Sequence, residues 1–110
     1  TNFYFFYPPY SMLWWDNIYR EGDMEAYLYN MEQAMEALLT CENVKLFYFQ
    51  NDREVITNLE NYMDIIHFSP EINHYICECI SSGKNQVSED NYRKSSAKCG
   101  NCLMKLWKNW

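Results

Sequence analysis

Five cysteines are the residues of this chain whose types and spacing best suit chemistry. Cys77 and Cys79 lie one residue apart in ICECI, and Cys99 and Cys102 lie three apart in CGNC. A helix turns about 100° per residue, so Cys77 and Cys79 on one helix face different directions and need separate partners. We therefore predict that disulfides join this pair to Cys99 and Cys102, or join Cys77 to Cys41, with the connectivity left open. Cys41 is otherwise predicted to be free or to link two chains in a homodimer.

The same cysteines fit two other kinds of site. Four thiolates are a complete ligand set for tetrahedral zinc, to which His67 and His74 could add. The interval between the two cysteine pairs lacks the turn glycines of a zinc ribbon, which favours disulfides. CGNC also has the spacing of a dithiol redox site, but such sites follow a strand in an alternation of strands and helices that this sequence does not show.

Apolar residues recur at helical spacing along most of the chain. Capping residues and glycines mark the ends of the helices, and Gly22 and Gly83 are the clearest stops. Ser69 and Pro70 form the clearest start. The predicted helices run from Met12 to Arg20, from Asp23 to about Thr40, from Asp52 to about Phe68, from Ser69 to about Ile80 and onward from Ser88.

The run VKLFYFQ, Val44 to Gln50, fits either a buried strand or a buried helical turn. A strand would need a partner, for which FYFFY near the N-terminus is the best candidate. Because the surrounding segments are helical, we favour a helix. The predicted fold class is all-α, a compact bundle of about five helices with disulfide staples, in a single helical domain over residues 1–110. The predicted core comprises Trp14, Leu28, Met31, Met35, Leu59, Met63, Ile66, Ile76 and Leu106.

Charge is distributed unevenly along a chain whose net charge is −6. From Lys84 onward there are six basic residues against two acidic ones, whereas three basic and thirteen acidic residues precede that point. This asymmetry predicts a basic C-terminal helix that packs on an acidic body or binds an anionic partner. The overall acidity argues against nucleic acid as a partner, and no apolar run reaches the ~18–20 residues needed to span a membrane. The chain starts with Thr1, which is expected where a leader has been removed or the sequence trimmed.

No motif for catalysis or cofactor binding occurs, so we predict no enzymatic activity, no catalytic residues and no cofactor. Aromatic residues make up 18% of the chain and include ten Tyr and four Trp. Exposed Tyr and Trp side chains are typical anchors of protein–protein interfaces. The sequence therefore favours a secreted, disulfide-stabilised helical protein that binds another protein. The alternatives are a carrier of a small apolar ligand and a zinc-stabilised intracellular domain.

Two resemblances agree with a secreted protein. YICECISSG followed by KCGNC, from about Tyr75 to Cys102, resembles insect chemosensory proteins, which are small helical carriers with a late C-x-x-C. The single C-x-C in a Tyr-rich chain resembles the BICYCLE effectors that gall-forming aphids secrete. Those effectors carry paired Cys-Tyr-Cys motifs, whereas Glu78 is the middle residue here and Cys41-Glu42-Asn43 stands in place of a first copy. The resemblance implies an effector-like role and no catalytic residues.

Overall fold

A computed structural model describes residues 1–99 of the chain. Helices and strands alternate along it, in an α+β arrangement with a three-stranded sheet. The strands are β1 (Phe3–Tyr7), β2 (Val44–Tyr48) and β3 (Gln86–Val87). The helices are α1 (Met12–Arg20), α2 (Met24–Leu39), α3 (Arg53–Ile56), α4 (Pro70–Ser82) and α5 (residues 92–99), with a 3₁₀ turn at Leu59–Asn61.

The sheet has the order β1-β2-β3, which makes β2 its central strand. β1 pairs with β2 in parallel, with Phe5 opposite Leu46, and β3 pairs with β2 antiparallel. Two parallel strands need a long crossover connection, and α1 and α2 supply it. The prediction of an all-α bundle is therefore wrong.

The alternation of side chains along β2 explains why the prediction failed. Leu46 and Tyr48 are buried against the layer formed by α1, α2 and α5, whereas Phe47 and Phe49 are buried on the opposite face against α4. A strand that is covered on both faces carries apolar residues continuously and shows no period of two. Its pairing partner is FYFFY, the candidate named from the sequence, but that segment lies about forty residues earlier and the helical segments next to β2 favoured a helix instead.

The helix expected from Asp52 to about Phe68 is also wrong. The chain forms only α3 and the 3₁₀ turn there, followed by an irregular segment up to Ser69. The side chain of Asn58 accepts a hydrogen bond from the N–H of Glu60, and that of Asp64 accepts from the N–H of Ile66. Asn and Asp side chains that bind the local backbone in this way compete with helical hydrogen bonds.

The predicted core is partly confirmed. Met31, Met35 and Ile76 are buried, and Trp14, Leu28 and Ile66 are partly buried. Leu59 and Met63 are 42% and 74% exposed, because the helix that was expected to bury them does not form. Leu106 lies outside the described residues.

No helix among residues 1–99 combines the length and the apolar character needed to cross a membrane.

We expect Phe47→Ala to lower the free energy of unfolding by ~3–5 kcal/mol, because it opens a cavity between the sheet and α4. Leu59→Ala should change it by less than about 1 kcal/mol, since that side chain is already largely in solvent. Urea denaturation of both variants tests the assignment. Similar losses for the two would contradict the central position of β2.

Candidate protein interaction surface

β1 is an edge strand made entirely of aromatic residues. Phe3, Tyr4, Phe5 and Phe6 are each between 41% and 51% exposed, although all belong to an ordered strand. Within residues 1–99, no strand pairs with the outer side of β1. Edge strands of soluble proteins usually carry a charge, a proline or a bulge that blocks further pairing, and β1 carries none of these. We call this strand and its exposed side chains the aromatic edge.

The hydrogen-bonding groups of the aromatic edge are divided between the two sides of the strand. Phe3 donates its N–H to the carbonyl of Asn43 at 2.8 Å, and the carbonyl of Tyr7 accepts from the first residue after β2 at 3.1 Å. Alternate residues of a paired strand turn their N–H and C=O groups towards the neighbour. Those of Tyr4 and Phe6 therefore point outward, where they are available to another strand.

An apolar cleft of about 510 Å³ lies at the C-terminal end of the aromatic edge. One wall comes from the end of β1 and the Pro8-Pro9 turn, and the other comes from the irregular segment before α4. The residues that line this apolar cleft are Phe6, Pro8, Tyr10, Met63, Ile66, His67 and Phe68. The cleft is therefore continuous with the strand edge through Phe6, which belongs to both.

Hydrogen bonds hold the two walls of the apolar cleft together. The hydroxyl of Tyr62 donates to the carbonyl of Pro9 at 2.7 Å, and that of Ser11 donates to the carbonyl of Ile65 at 2.5 Å. Ser11 is fully buried, and its oxygen also accepts from the N–H of Trp14 at the start of α1. The irregular segment is thus fixed to the N-terminal turn even though it lacks regular secondary structure.

Asp64 organises the tip of the irregular segment. One carboxylate oxygen accepts from the backbone N–H groups of Ile66 and His67 at 2.9 and 2.8 Å, and the other contacts the His67 ring at 2.5 Å. The two backbone hydrogen bonds are the main reason that the pKa of Asp64 is lowered to about 2, with a smaller contribution from the His67 side chain. The carboxylate therefore stays charged in ordinary buffers.

The predicted disulfides are not found. Cys41 and Cys77 are exposed, Cys79 and Cys99 are buried, and no two of these four form a disulfide; Cys102 lies outside the described residues. Cys79 packs against Phe47 on the α4 side of the sheet, whereas Cys99 packs on the α1, α2 and α5 side and donates from Sγ to the carbonyl of Gln50 at 3.3 Å. The sheet therefore separates Cys79 from Cys99, while the predicted bonds to Cys102 lie outside the described residues. Secretion was inferred from those disulfides and stays a prediction.

The residues considered as zinc ligands do not come together in the described part of the chain. Within residues 1–99, no group of three or more His, Cys, Asp and Glu side chains is placed to hold a metal ion. His67 contacts Asp64, and His74 contacts Glu78 at 2.9 Å, so each histidine has a carboxylate neighbour on the surface.

The sequence analysis expected exposed Tyr and Trp side chains as anchors and did not predict the aromatic edge. Of the four tryptophans, Trp15 is fully buried, Trp14 is partly buried, and the other two lie outside the described residues. Within residues 1–99 the exposed aromatics are three phenylalanines and three tyrosines, and four of these six lie in β1. The signal that could have revealed them is a five-residue aromatic run without charge, ended by two prolines, because such a run suits a strand and cannot be entirely buried at an edge.

Comparisons with protein families, with curated proteins and with solved structures gave no match for this chain. The function must therefore be argued from its own residues.

The thiols give a direct test of the cysteine assignment. We expect iodoacetamide to modify Cys41 and Cys77 in the folded protein without reductant, because both side chains reach solvent. Cys79 should react only after denaturation. Peptide mapping by mass spectrometry measures each site. Protection of Cys41 or Cys77 that is removed by reductant would restore the disulfide hypothesis.

Backbone amides should keep the pKa of Asp64 low even without the histidine ring. In His67→Ala the pKa of Asp64 should stay clearly below the ordinary ~3.9 of an aspartate, since both backbone donors remain. A depressed carboxyl pKa stabilises the segment above pH ~4, and this contribution is lost as the pH falls towards 2. NMR titration of the side-chain carboxyl carbon measures the pKa. A return to the ordinary value would assign the effect to the ring instead.

Proposed function

We propose that this protein acts by binding an extended segment of another protein, which adds to the sheet along the aromatic edge. The observation that carries the proposal is an uncharged edge strand whose outer side no strand within residues 1–99 pairs and whose Tyr4 and Phe6 backbone groups point outward. Addition of a strand to an exposed sheet edge is a common mode of peptide recognition. An effector-like binding role is also what the resemblance to secreted insect proteins implies.

Main-chain pairing would supply the affinity of such a complex. Tyr4 and Phe6 each offer one N–H donor and one C=O acceptor, which a partner strand can pair without disturbing β2. The exposed rings on both faces of β1 would pack against alternate side chains of the bound strand. The edge ends at Pro8, whose nitrogen has no hydrogen to donate, so pairing stops where the apolar cleft begins.

The apolar cleft would supply specificity. A bound strand that passes Phe6 brings its next side chain to the cleft, whose lining is almost entirely apolar. Full burial of one Leu or Phe side chain contributes ~1.5–3 kcal/mol. The partner is therefore an extended segment with a large apolar side chain beside the end of the paired region.

The charge of the protein favours a different protein as the partner over a second copy. The net charge of −6 makes two copies repel each other, while the aromatic edge itself carries no charge. Lys45 of β2 places its amine 5.6 Å from the centre of the Tyr4 ring, which puts a positive group beside the edge. A neutral segment satisfies both conditions.

A carrier of a small apolar ligand is the second candidate, and the apolar cleft is the observation that favours it. Its volume of about 510 Å³ falls within the ~300–1,000 Å³ of typical ligand pockets. The two candidate functions predict different effects of a substitution at Tyr4. A small ligand in the cleft does not use the outward backbone groups of the strand, whereas a bound strand does.

A photo-crosslinking experiment tests strand addition. A benzoylphenylalanine at position 4 should give covalent adducts with another protein in an extract of the tissue that contains the protein. The same residue at position 29 should not, since Tyr29 is exposed on α2, away from the edge. Tyr4→Pro removes the outward N–H while β1 keeps its hydrogen bonds to β2. We expect it to abolish an adduct formed from position 6, whereas Tyr4→Ala should only weaken that adduct.

Each outcome of this experiment is decisive. Adducts of twice the chain's own mass would identify a second copy as the occupant and contradict the proposal. Equal adduct yields in Tyr4→Pro and Tyr4→Ala would rule out backbone pairing. Saturable 1:1 binding of a fluorescent fatty-acid probe that survives Tyr4→Pro, together with no protein adduct, would establish the carrier instead.

A further inference from the structure

A second cleft, of about 810 Å³, lies where β2 ends, between α4 and α5. Its walls come from the segment that follows β2, from the turn after α4 and from one side of α5. None of the residues of the aromatic edge lines it. We call it the basic cleft.

Four cations surround the basic cleft: Arg53, Lys84, Lys94 and Lys98. They are four of the nine basic residues of a chain whose net charge is −6. The only acidic side chains among the lining residues are Asp52 and Glu54. The cleft therefore carries a local excess of positive charge in an acidic protein.

The four cations have no anionic partner within residues 1–99. The ion pairs in the described part of the chain involve Arg20, Arg93 and the two histidines. Asp52 lies close by, but it accepts the hydroxyl of Tyr75 at 2.6 Å. Lys84 instead places its amine 5.2 Å from the centre of the Tyr75 ring. An anion in the cleft would relieve the mutual repulsion of these charges.

The backbone fixes the convergence of the cations. Lys94 and Lys98 are four residues apart on α5 and so share one face of that helix. Lys84 follows Gly83, whose φ of +81° ends α4 and turns the chain back towards β2. Arg53 is the first residue of α3, directly after Asp52. Three separate elements thus direct positive side chains to one place.

We propose that the basic cleft binds a small molecule that carries two or more phosphate groups. Lysine amines act as point charges towards phosphate oxygens, and the arginine guanidinium can hold two oxygens of one group at once. The amide of Asn51, which also lines the cleft, adds a neutral donor, whereas the amide of Asn85 donates to the carbonyl of Tyr48 at 3.3 Å. A single monoanion would engage only part of this set, so several negative charges are needed to neutralise it.

Isothermal titration calorimetry at physiological ionic strength tests the site with three probes: inorganic phosphate, ATP and inositol hexakisphosphate. We expect saturable 1:1 binding of ATP or of inositol hexakisphosphate, at least tenfold tighter than that of inorganic phosphate. The affinity should fall as salt is raised, because the contacts are between exposed charges.

Matched variants separate this site from a general effect of charge. Lys94→Gln combined with Lys98→Gln should weaken binding at least tenfold, while Arg20→Gln combined with Lys45→Gln removes the same two charges elsewhere and should leave it unchanged. Glu54→Gln should tighten binding, since it removes an acidic group from the lining. All five positions are exposed, and unchanged thermal unfolding confirms that each variant is folded.

The proposal is overturned if no probe binds saturably or if both double variants weaken binding equally. It is also overturned if inorganic phosphate binds as tightly as the polyphosphates, because the cations would then not act together.

Discussion

The burial of β2 on both faces is the constraint on which the rest of this structure depends. Leu46 and Tyr48 need a cover on one side of the sheet, while Phe47 and Phe49 need another on the opposite side. α1, α2 and α5 provide the first cover, and α4 provides the second. Because all four side chains are almost completely buried, neither layer can be removed without exposing aromatic surface.

The same constraint leaves the two edges of the sheet unequal. On one side β3 pairs with β2 over only two residues, and on the other β1 pairs over five. The cover over β1 is incomplete, since only Tyr7, whose ring contacts Tyr48, is partly buried, while the first four residues of the strand remain exposed. The aromatic edge is therefore exposed because the helical layers are centred on β2 and not on β1.

A buried polar cluster ties α2 and α5 to the end of β2. The Gln50 amide donates to the hydroxyl of Tyr27 at 3.1 Å, and the Cys99 thiol donates to the Gln50 carbonyl. Burial raises the pKa of Tyr27 to about 12 and also raises that of Tyr48, so both hydroxyls stay protonated. Within residues 1–99, the indole N–H of Trp15 and the side-chain oxygen of Gln50 meet no partner, at a typical cost of ~1–3 kcal/mol each.

Local signals predicted the helices well where capping and periodicity agree. Ser11 caps α1, Asp23 precedes α2, Pro70 begins α4 and Gly83 ends it in the left-handed conformation. The predictions that were wrong concern features that depend on pairing between distant segments. Val44–Tyr48 forms a strand because it pairs with β1, and Cys79 is kept apart from Cys99 because the sheet lies between them. The aromatic edge was not predicted for the same reason, because an edge exists only once the order of the strands is known.

The distribution of charge follows from the same architecture. Salt limits the reach of exposed charges to about 10 Å, so the basic cleft acts on anions only at close range, while the acidic remainder repels them from most of the surface. A ligand must then carry enough charge in a small volume to engage several cations together. The aromatic edge has the opposite character, since without charge its pairing depends on backbone groups and apolar contact. The two proposed surfaces thus differ in physical character, and each can be altered by substitution without changing the other.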